Sequence, residues 1–168
     1  NHKFPNLIVT IRSVSLPALY ETMADMDTRI DRDLIRTAGA AGATLTLVGS
    51  DLPDSPWQDL NIEGILSPRG AEIEFPADAI RLVGVSGQIP FRLQGARLME
   101  IPEPESKRFT IATVQYGGLV ATDLVGQTRF SETTLVMQNT RFTFAEGSGQ
   151  GAFGIAFPRW NEPRFASF

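Results

Sequence analysis

Cysteine is absent from all 168 residues. Disulfide scaffolds, thiolate zinc sites and cysteine nucleophiles are therefore excluded together. The compartment stays open, because a cysteine-free chain suits cytosol, periplasm and virion alike. Histidine occurs once, as His2. A Ser-His-Asp triad needs an imidazole held by two partners, and a chain terminus is a poor place to hold one. Basic clusters are also missing: 15 Lys and Arg are scattered among 19 Asp and Glu, for a net charge of −4. General nucleic-acid binding needs clustered cations to neutralise phosphates, so it is not expected. No stretch approaches the roughly 18 apolar residues of a membrane span, and no signal peptide is visible. The chain opens at Asn1 rather than methionine, so it is expected to be processed, trimmed or excised, which leaves room upstream for a leader or anchor helix.

What is present is a core-forming composition. Hydrophobic residues make up 42% and charged residues 20%, which excludes a disordered chain. The length suffices for one domain or two small sub-sheets. The C-terminal third reads as one antiparallel β-meander. From Arg108 it runs FTIATVQY, Gly117-Gly118, LVATDLVGQTRF, a turn at Ser131-Glu132, TLVMQ, Asn139-Thr140, RFTFA, a glycine-rich turn, GAFGIAFP, a turn at Asn161-Glu162-Pro163, and RFASF. Runs rich in Val, Ile, Thr and Phe alternate with turn residues at nearly regular spacing. Short turns let each strand pair only with its neighbours.

The N-terminal part is mixed. LIVTIRS (7–13) predicts a strand. Ser15 predicts a helix N-cap with Pro17 in the first turn. Leu16, Leu19, Tyr20, Met23, Met26 and Ile30 follow at helical spacing, and Leu34 extends the stripe. Gly39 and Gly42 are expected to stop it. ATLTLV (43–48) predicts the next strand, and SDLPDSPWQDL (50–60) a loop. Then come NIEGILS, a turn at Pro68-Arg69-Gly70, EIEF, AIRLVGV and GQIPFRLQGARLMEI. Pro76 and Pro90 belong at strand edges or bulges. IPEPESKR (101–108) is linker-like. The expected organisation is a mixed region over 1–101, a linker-like turn over 102–108 and a β-meander over 109–168, within one continuous sheet system.

Motifs that suggest chemistry fail on their contexts. Gly149, Gly151 and Gly154 have dinucleotide-motif spacing, but that motif opens a helix, and here Phe153, Ile155 and Phe157 alternate as a strand. Asp25, Asp27, Asp31 and Asp33 resemble a calcium loop, but Arg29 and Ile30 occupy the positions that need an oxygen ligand and glycine. Asp54 and Asp59 flank Trp57 in the most site-like loop. A tryptophan anchoring that loop onto the sheet is the simpler reading. No catalytic residue, cofactor or metal is assigned.

The aromatic set of the last strands remains. Phe142 and Phe144 share one face by the two-residue period, as do Phe153, Ile155 and Phe157. Two readings stand, a curved sheet with an apolar face for an acyl chain and an ordinary sandwich core.

A family resemblance bears on this choice. Val114, Tyr116, Gly117, Gly118, Leu119, Asp123 and Leu124 form a V-x-Y-G-G-L-x-x-x-D-L element. Gly126, a T-L-x-M strand with Leu135 and Met137, the aromatic strand of Phe142 and Phe144, a G-x-G-x-G turn (Gly147, Gly149, Gly151) and an N-E-P-R turn (Asn161 to Arg164) follow. Over 109–168 this resembles the C-terminal repeat of the AsmA-like proteins of bacterial envelopes. The strand running into a helix from Leu7 to Leu19 is also similar to units of that family. The resemblance implies a long, twisted, taco-like β-sheet with an apolar groove, associated with moving phospholipids between membranes. The family normally has a longer chain and an N-terminal membrane helix.

The expectation is a mainly β fold, an antiparallel twisted meander as open groove or sandwich, with one substantial N-terminal helix. The expected role is non-enzymatic, in the bacterial periplasm or cell envelope. Phospholipid acyl chains or membrane-associated proteins are the expected partners, with no nucleic acid and no metal. The candidate binding residues are Ile111, Val114, Leu124, Leu135, Phe142, Phe144, Phe153, Ile155 and Phe157, with Leu19, Met23 and Met26 of the helix closing one end. The alternatives are a structural subunit of a membrane complex or phage tail, burying the same face against other chains, and a glycan hydrolase using Asp54 or Asp59.

Overall fold

The computed structural model describes residues 7–26, 32–48, 61–94, 97–131, 134–156 and 164–167. The expected loop with Asp54, Trp57 and Asp59, the expected turn at 161–163, and Phe157 lie outside the described residues. The chain begins with β1 (Leu7–Ser15), which runs directly into α1 (Leu16–Met26). The strands β2 (Arg36–Val48), β3 (Asn61–Phe75), β4 (Ile80–Gly87), β5 (Ile89–Gln94) and β6 (Arg97–Leu98) follow. A 3-10 turn at Glu103–Glu105 leads to β7 (Lys107–Tyr116), β8 (Leu119–Ser131), β9 (Thr134–Phe144), β10 (Gly147–Ala156) and β11 (Arg164–Ser167).

All these strands belong to one antiparallel sheet in the order β1-β2-β3-β4-β7-β8-β9-β10-β11. Strand β5 continues the line of β4 and pairs with the first half of β3, and β6 pairs with β5. The fold is therefore mainly antiparallel β with one helix, as the sequence predicts. It is one sheet rather than a sandwich of two. Pairing of β4 with β7 carries the sheet across the proline-rich 101–108 stretch, from Ile80↔Tyr116 to Gly87↔Phe109.

The described helix covers Leu16 to Met26 of the apolar stripe; Ile30 lies outside the described residues, and Leu34 is not helical. The helix starts as expected, with the Ser15 Oγ accepting from the Ala18 N–H at 3.5 Å and Pro17 in the first turn. By Arg36 the chain is already extended. Gly39 and Gly42 therefore do not stop a helix. Both lie inside β2, where Gly39 has φ +92°. Ala24 is buried and Leu16 packs against the core, so the helix covers part of the sheet. Arg32 pairs with Glu21 at 2.6 Å and with Asp25. The hydrogen bond that Arg32 donates to Asp25 is the main cause that raises the guanidinium pKa further.

Two expected turns are bulges. The Pro68-Arg69-Gly70 segment lies within the continuous strand β3, and Asn139-Thr140 lies within β9. Both Gly70 (φ +60°) and Asn139 (φ +51°) are left-handed. Register shifts fall between Ile11 and Val14 of β1, Ala38 and Ala40 of β2, Ala71 and Ile73 of β3, and Thr122 and Gln127 of β8. Another falls between Gly151 and Phe153 of β10. Following the pairing from strand to strand, these sites line up across the sheet. Each extra residue bends its strand and reverses the side-chain alternation beyond it. In β4, Ile80 and Leu82 are buried before Gly84, and Val85 is buried after it. In β7, Phe109 and Ile111 face the core on one side, and Val114 packs against it on the other. The sheet is thus creased transversely while its apolar side chains stay on one face.

That face carries the core of Ala71, Phe75, Ile80, Leu82, Val85, Phe109, Ile111, Leu124 and Met137. The other face carries the ion pairs Arg81–Glu72 at 2.8 Å, Arg92–Glu63 at 2.9 Å and Arg129–Glu100 at 3.4 Å, with Ile8, Val120 and Val125 exposed among its polar residues. An antiparallel sheet with one packed and one wet face follows naturally from alternation. The turns suit the right-handed twist. Two-residue loops join Tyr116 to Leu119 and Phe144 to Gly147. The second has left-handed φ at both central residues, Ala145 (+45°) and Glu146 (+65°), as a type I′ hairpin requires.

Candidate functional site: an apolar sheet face with open ends

Residues directly opposite one another in a ladder point to the same side of the sheet. The pairing therefore turns a strand list into rows. Leu82, Val114, Ala121 and Phe144 form one row across four strands, and Ile80, Tyr116 and Leu119 form the next. Ile80 and Leu82 are buried, Val114 and Ala121 are half-buried, and the row ends are open. Phe144 is 41% exposed, Leu119 56% and Tyr116 58%. These three side chains thus continue the core face past the point where the protein covers it.

The same face is apolar at the other end of the strands. There the rows are Leu7, Leu47, Ile62 and Leu93, then Val9, Leu45, Gly64 and Phe91, then Ile11, Ala43, Leu66 and Ile89. Ile89 packs against the core cluster, which fixes the face. Gly64 leaves room for the Phe91 ring: a Cβ there would lie 2.5 Å from the ring's tip. Most of these side chains are half-buried, and Leu7 is 57% exposed.

The residues proposed from the sequence fall into three groups. Ile111 (1% exposed) and Leu124 (4%) are fully inside the core, where they hold the sheet together. Val114, Phe142, Phe153 and Ile155 are half-buried and packed against that core, and Leu135 is half-buried opposite Phe130 and Ile155. Among the described candidates, Phe144 alone is exposed. Phe142 and Phe144 do share a face, and the Phe142 ring lies over Gly149, whose missing Cβ would meet it at 2.5 Å. Leu19 of the helix is half-buried, and the side chains of Met23 and Met26 lie outside those described.

The sequence reading missed the N-terminal rows through Leu45, Leu47, Ile62, Leu66, Phe91 and Leu93. Each strand carries the alternation, but the register that aligns them is a long-range property. It also missed Tyr116 and Leu119, which look like turn-flanking residues until the ladder places them beyond Ile80.

A second feature lies on the polar face, in the fork where β5 leaves β4. Thr44, Thr46, Glu63, Pro90, Arg92, Ile101, Glu105 and Lys107 line a cleft of about 270 Å³. Arg92 is paired with both of its acids there, 2.9 Å from Glu63 and 3.4 Å from Glu105. The backbone closes the fork, with Met99 N–H donating to Arg92 O and Ile101 N–H to Phe130 O, both at 2.8 Å. This is a strut between β5 and β8 more than a binding site. Among the described residues no group of three His, Cys, Asp or Glu side chains is placed to hold a metal, and no helix is long and apolar enough to cross a membrane. No family model, curated protein or solved structure matches the chain.

Proposed function

We propose that this chain is a non-enzymatic protein of the bacterial cell envelope that holds or passes lipid on the apolar face of its sheet. The observation that carries this reading is the continuity of that face. It runs from the buried core at Ile80 and Leu82 to the exposed mouth at Tyr116, Leu119 and Phe144. Exposed apolar side chains that extend a core call for an apolar occupant. An acyl chain fits rows of aliphatic and aromatic side chains without directed hydrogen bonds. Tyr116 adds an amphipathic ring at the rim, the type of side chain that settles at a lipid headgroup boundary.

Burying a large apolar side chain is worth about 1.5–3 kcal/mol when it is wholly exposed beforehand. Three side chains roughly half exposed would contribute about 3 kcal/mol together, or roughly 100-fold in lipid affinity. The test is native mass spectrometry of the full chain, with solvent extraction and lipid analysis. The expected result is a bound phospholipid that is lost in the Leu119→Asp/Phe144→Asp variant while the unfolding curve stays near wild type. A folded chain that carries no lipid, and takes up none from phosphatidylcholine vesicles, overturns the reading.

A structural-subunit reading has one observation in its favour, the uncharged Leu7–Ile11 stretch of β1, which among the described residues pairs only with β2.

A further inference from the structure

The row Leu82–Val114–Ala121–Phe144 has one small member. Leucine, valine and phenylalanine stand on three of its strands, and Ala121 on β8 carries nothing beyond a methyl. Strand β8 continues on the same face in both directions. Leu119 lies two residues outward and is exposed, and Leu124 lies inward and is buried. Both stay on one side because the left-handed Asp123 takes up the reversal between Ala121 and Leu124. On the β7 side, Tyr116 stands opposite Leu119, Val114 opposite Ala121 and Ile111 opposite Leu124. On the β9 side, Phe144 stands opposite Ala121. Ala121 is therefore the floor of a trough walled by Val114 and Phe144. Leu124 and Ile111 close its inner end, and its outer end opens past Leu119. None of these side chains is charged, and only Tyr116 carries a polar atom.

We infer that Ala121 is the seat of a single acyl tail and sets how many tails this site admits, an inference that rests on the proposed lipid reading. Strands in a sheet lie about 4.7–4.9 Å apart, so β7 and β9 face each other across β8 at about 9.5 Å. Apolar carbons touch at about 3.5–4.0 Å, so one polymethylene chain between two walls needs about 7–8 Å, and two side by side need about 10.5–12 Å. One tail therefore fits the trough in contact with both walls, and a second does not. The floor decides whether even one fits. A methyl at position 121 leaves free the space above β8 that a leucine would fill. The closed inner end at Leu124 and Ile111 takes the terminal methyl of the tail. The open outer end leaves the rest of the lipid at the Tyr116 rim, where an amphipathic ring suits the headgroup boundary. A phospholipid is then held by one of its two tails, with the other outside the trough.

The test is loading of the full chain from phosphatidylcholine vesicles, read by native mass spectrometry. Ala121→Leu fills the floor and should lower loading roughly tenfold, the worth of one large apolar contact. Ala121→Gly keeps the floor low and should load as the parent does. Thr143→Leu adds apolar bulk on the other face, at an exposed position beside Phe144, and should also load as the parent does. Urea midpoints show which variants are folded. Where Ala121→Leu does not fold, the smaller filling Ala121→Val should still lower loading about threefold. From mixed micelles holding equal amounts of phosphatidylcholine and lysophosphatidylcholine, the chain should load both within about threefold, because each places one tail in the trough. A folded Ala121→Leu that loads like the parent overturns the inference while the lipid reading stands. So does a preference of more than about tenfold for the two-tailed lipid, which would mean that both tails are buried. A parent chain that loads nothing overturns both, so the two failures are separately visible.

Discussion

Replacing Gly84 by alanine tests whether the crease is an obligatory feature of the sheet. Gly84 has φ +70° and sits in β4 where the alternation of buried residues reverses. Left-handed backbone costs an alanine about 1–2 kcal/mol. The new Cβ would also lie 2.7 Å from the Cβ of Ala112 on β7. Both atoms are fixed to backbone, so the strands must shift, an overpacking cost of about 1–3 kcal/mol. The stiffer unfolded chain returns about 0.5–1 kcal/mol. The net destabilisation is therefore about 1–4.5 kcal/mol, and the urea midpoint should fall by about 0.5–2 M at an m-value near 2 kcal/mol/M. Ala112→Gly separates the two costs. Alone it should destabilise by about 0.5–1 kcal/mol, but in the Gly84→Ala background it should restore the overpacking part. Gly70 is the internal control. It has φ +60°, yet its added Cβ would meet nothing within 4 Å, so Gly70→Ala should show the backbone cost alone. A Gly84→Ala variant within 0.5 kcal/mol of wild type, or one that Ala112→Gly fails to rescue, would refute the account of the crease.

Two further predictions address the turns and the face. Ala145→Asn with Glu146→Gly places favoured residues at two left-handed positions, and should stabilise by about 1–2 kcal/mol in a thermal or urea titration. Ile111→Ala, in the core at 1% exposure, should cost about 2–5 kcal/mol. Leu119→Ala at the open mouth should cost less than about 1 kcal/mol in the same assay but weaken any lipid binding. Equal costs would mean that the mouth is closed in solution.

The legible parts of the fold were those with local causes. Alternation in FTIATVQY and RFTF gave strands, Gly117-Gly118 gave a turn, and Ser15 with Pro17 gave the helix start. The errors cluster at left-handed residues. Asn139 and Gly70 look in sequence like turn residues, because bulges and turns use the same conformation. Only the pairing of β9 with both neighbours, or of β3 with β2 and β4, distinguishes the two. Gly39 was read as a helix stop for the same reason. The apolar stripe overran at Leu34, because helical spacing continues by chance into the approach to β2. The candidate site was half legible. Phe142 and Phe144 were correctly placed on one face, but burial separates them, and burial depends on which strands end where.

The crease explains why strict alternation misleads about this face. In β7 a fixed period of two would place Phe109 and Ile111 inside and Val114 and Tyr116 outside. The structure puts all four on one side, with the reversal absorbed near Ala112 opposite the left-handed Gly84 and Asp123. The same reversal carries β8 from Leu119 and Ala121 to Leu124, and β9 from Phe144 and Phe142 to Met137 and Leu135. Without it, Tyr116, Leu119 and Phe144 would lie on the polar side among Arg81, Gln115 and Arg141, as isolated surface residues with no relation to the core. With it, they extend the rows of Ile80 and Leu82. The open mouth is therefore a consequence of the bulge line. A sheet with bulges across its central strands keeps its apolar side chains on one face, and that face outruns the side chains available to cover it.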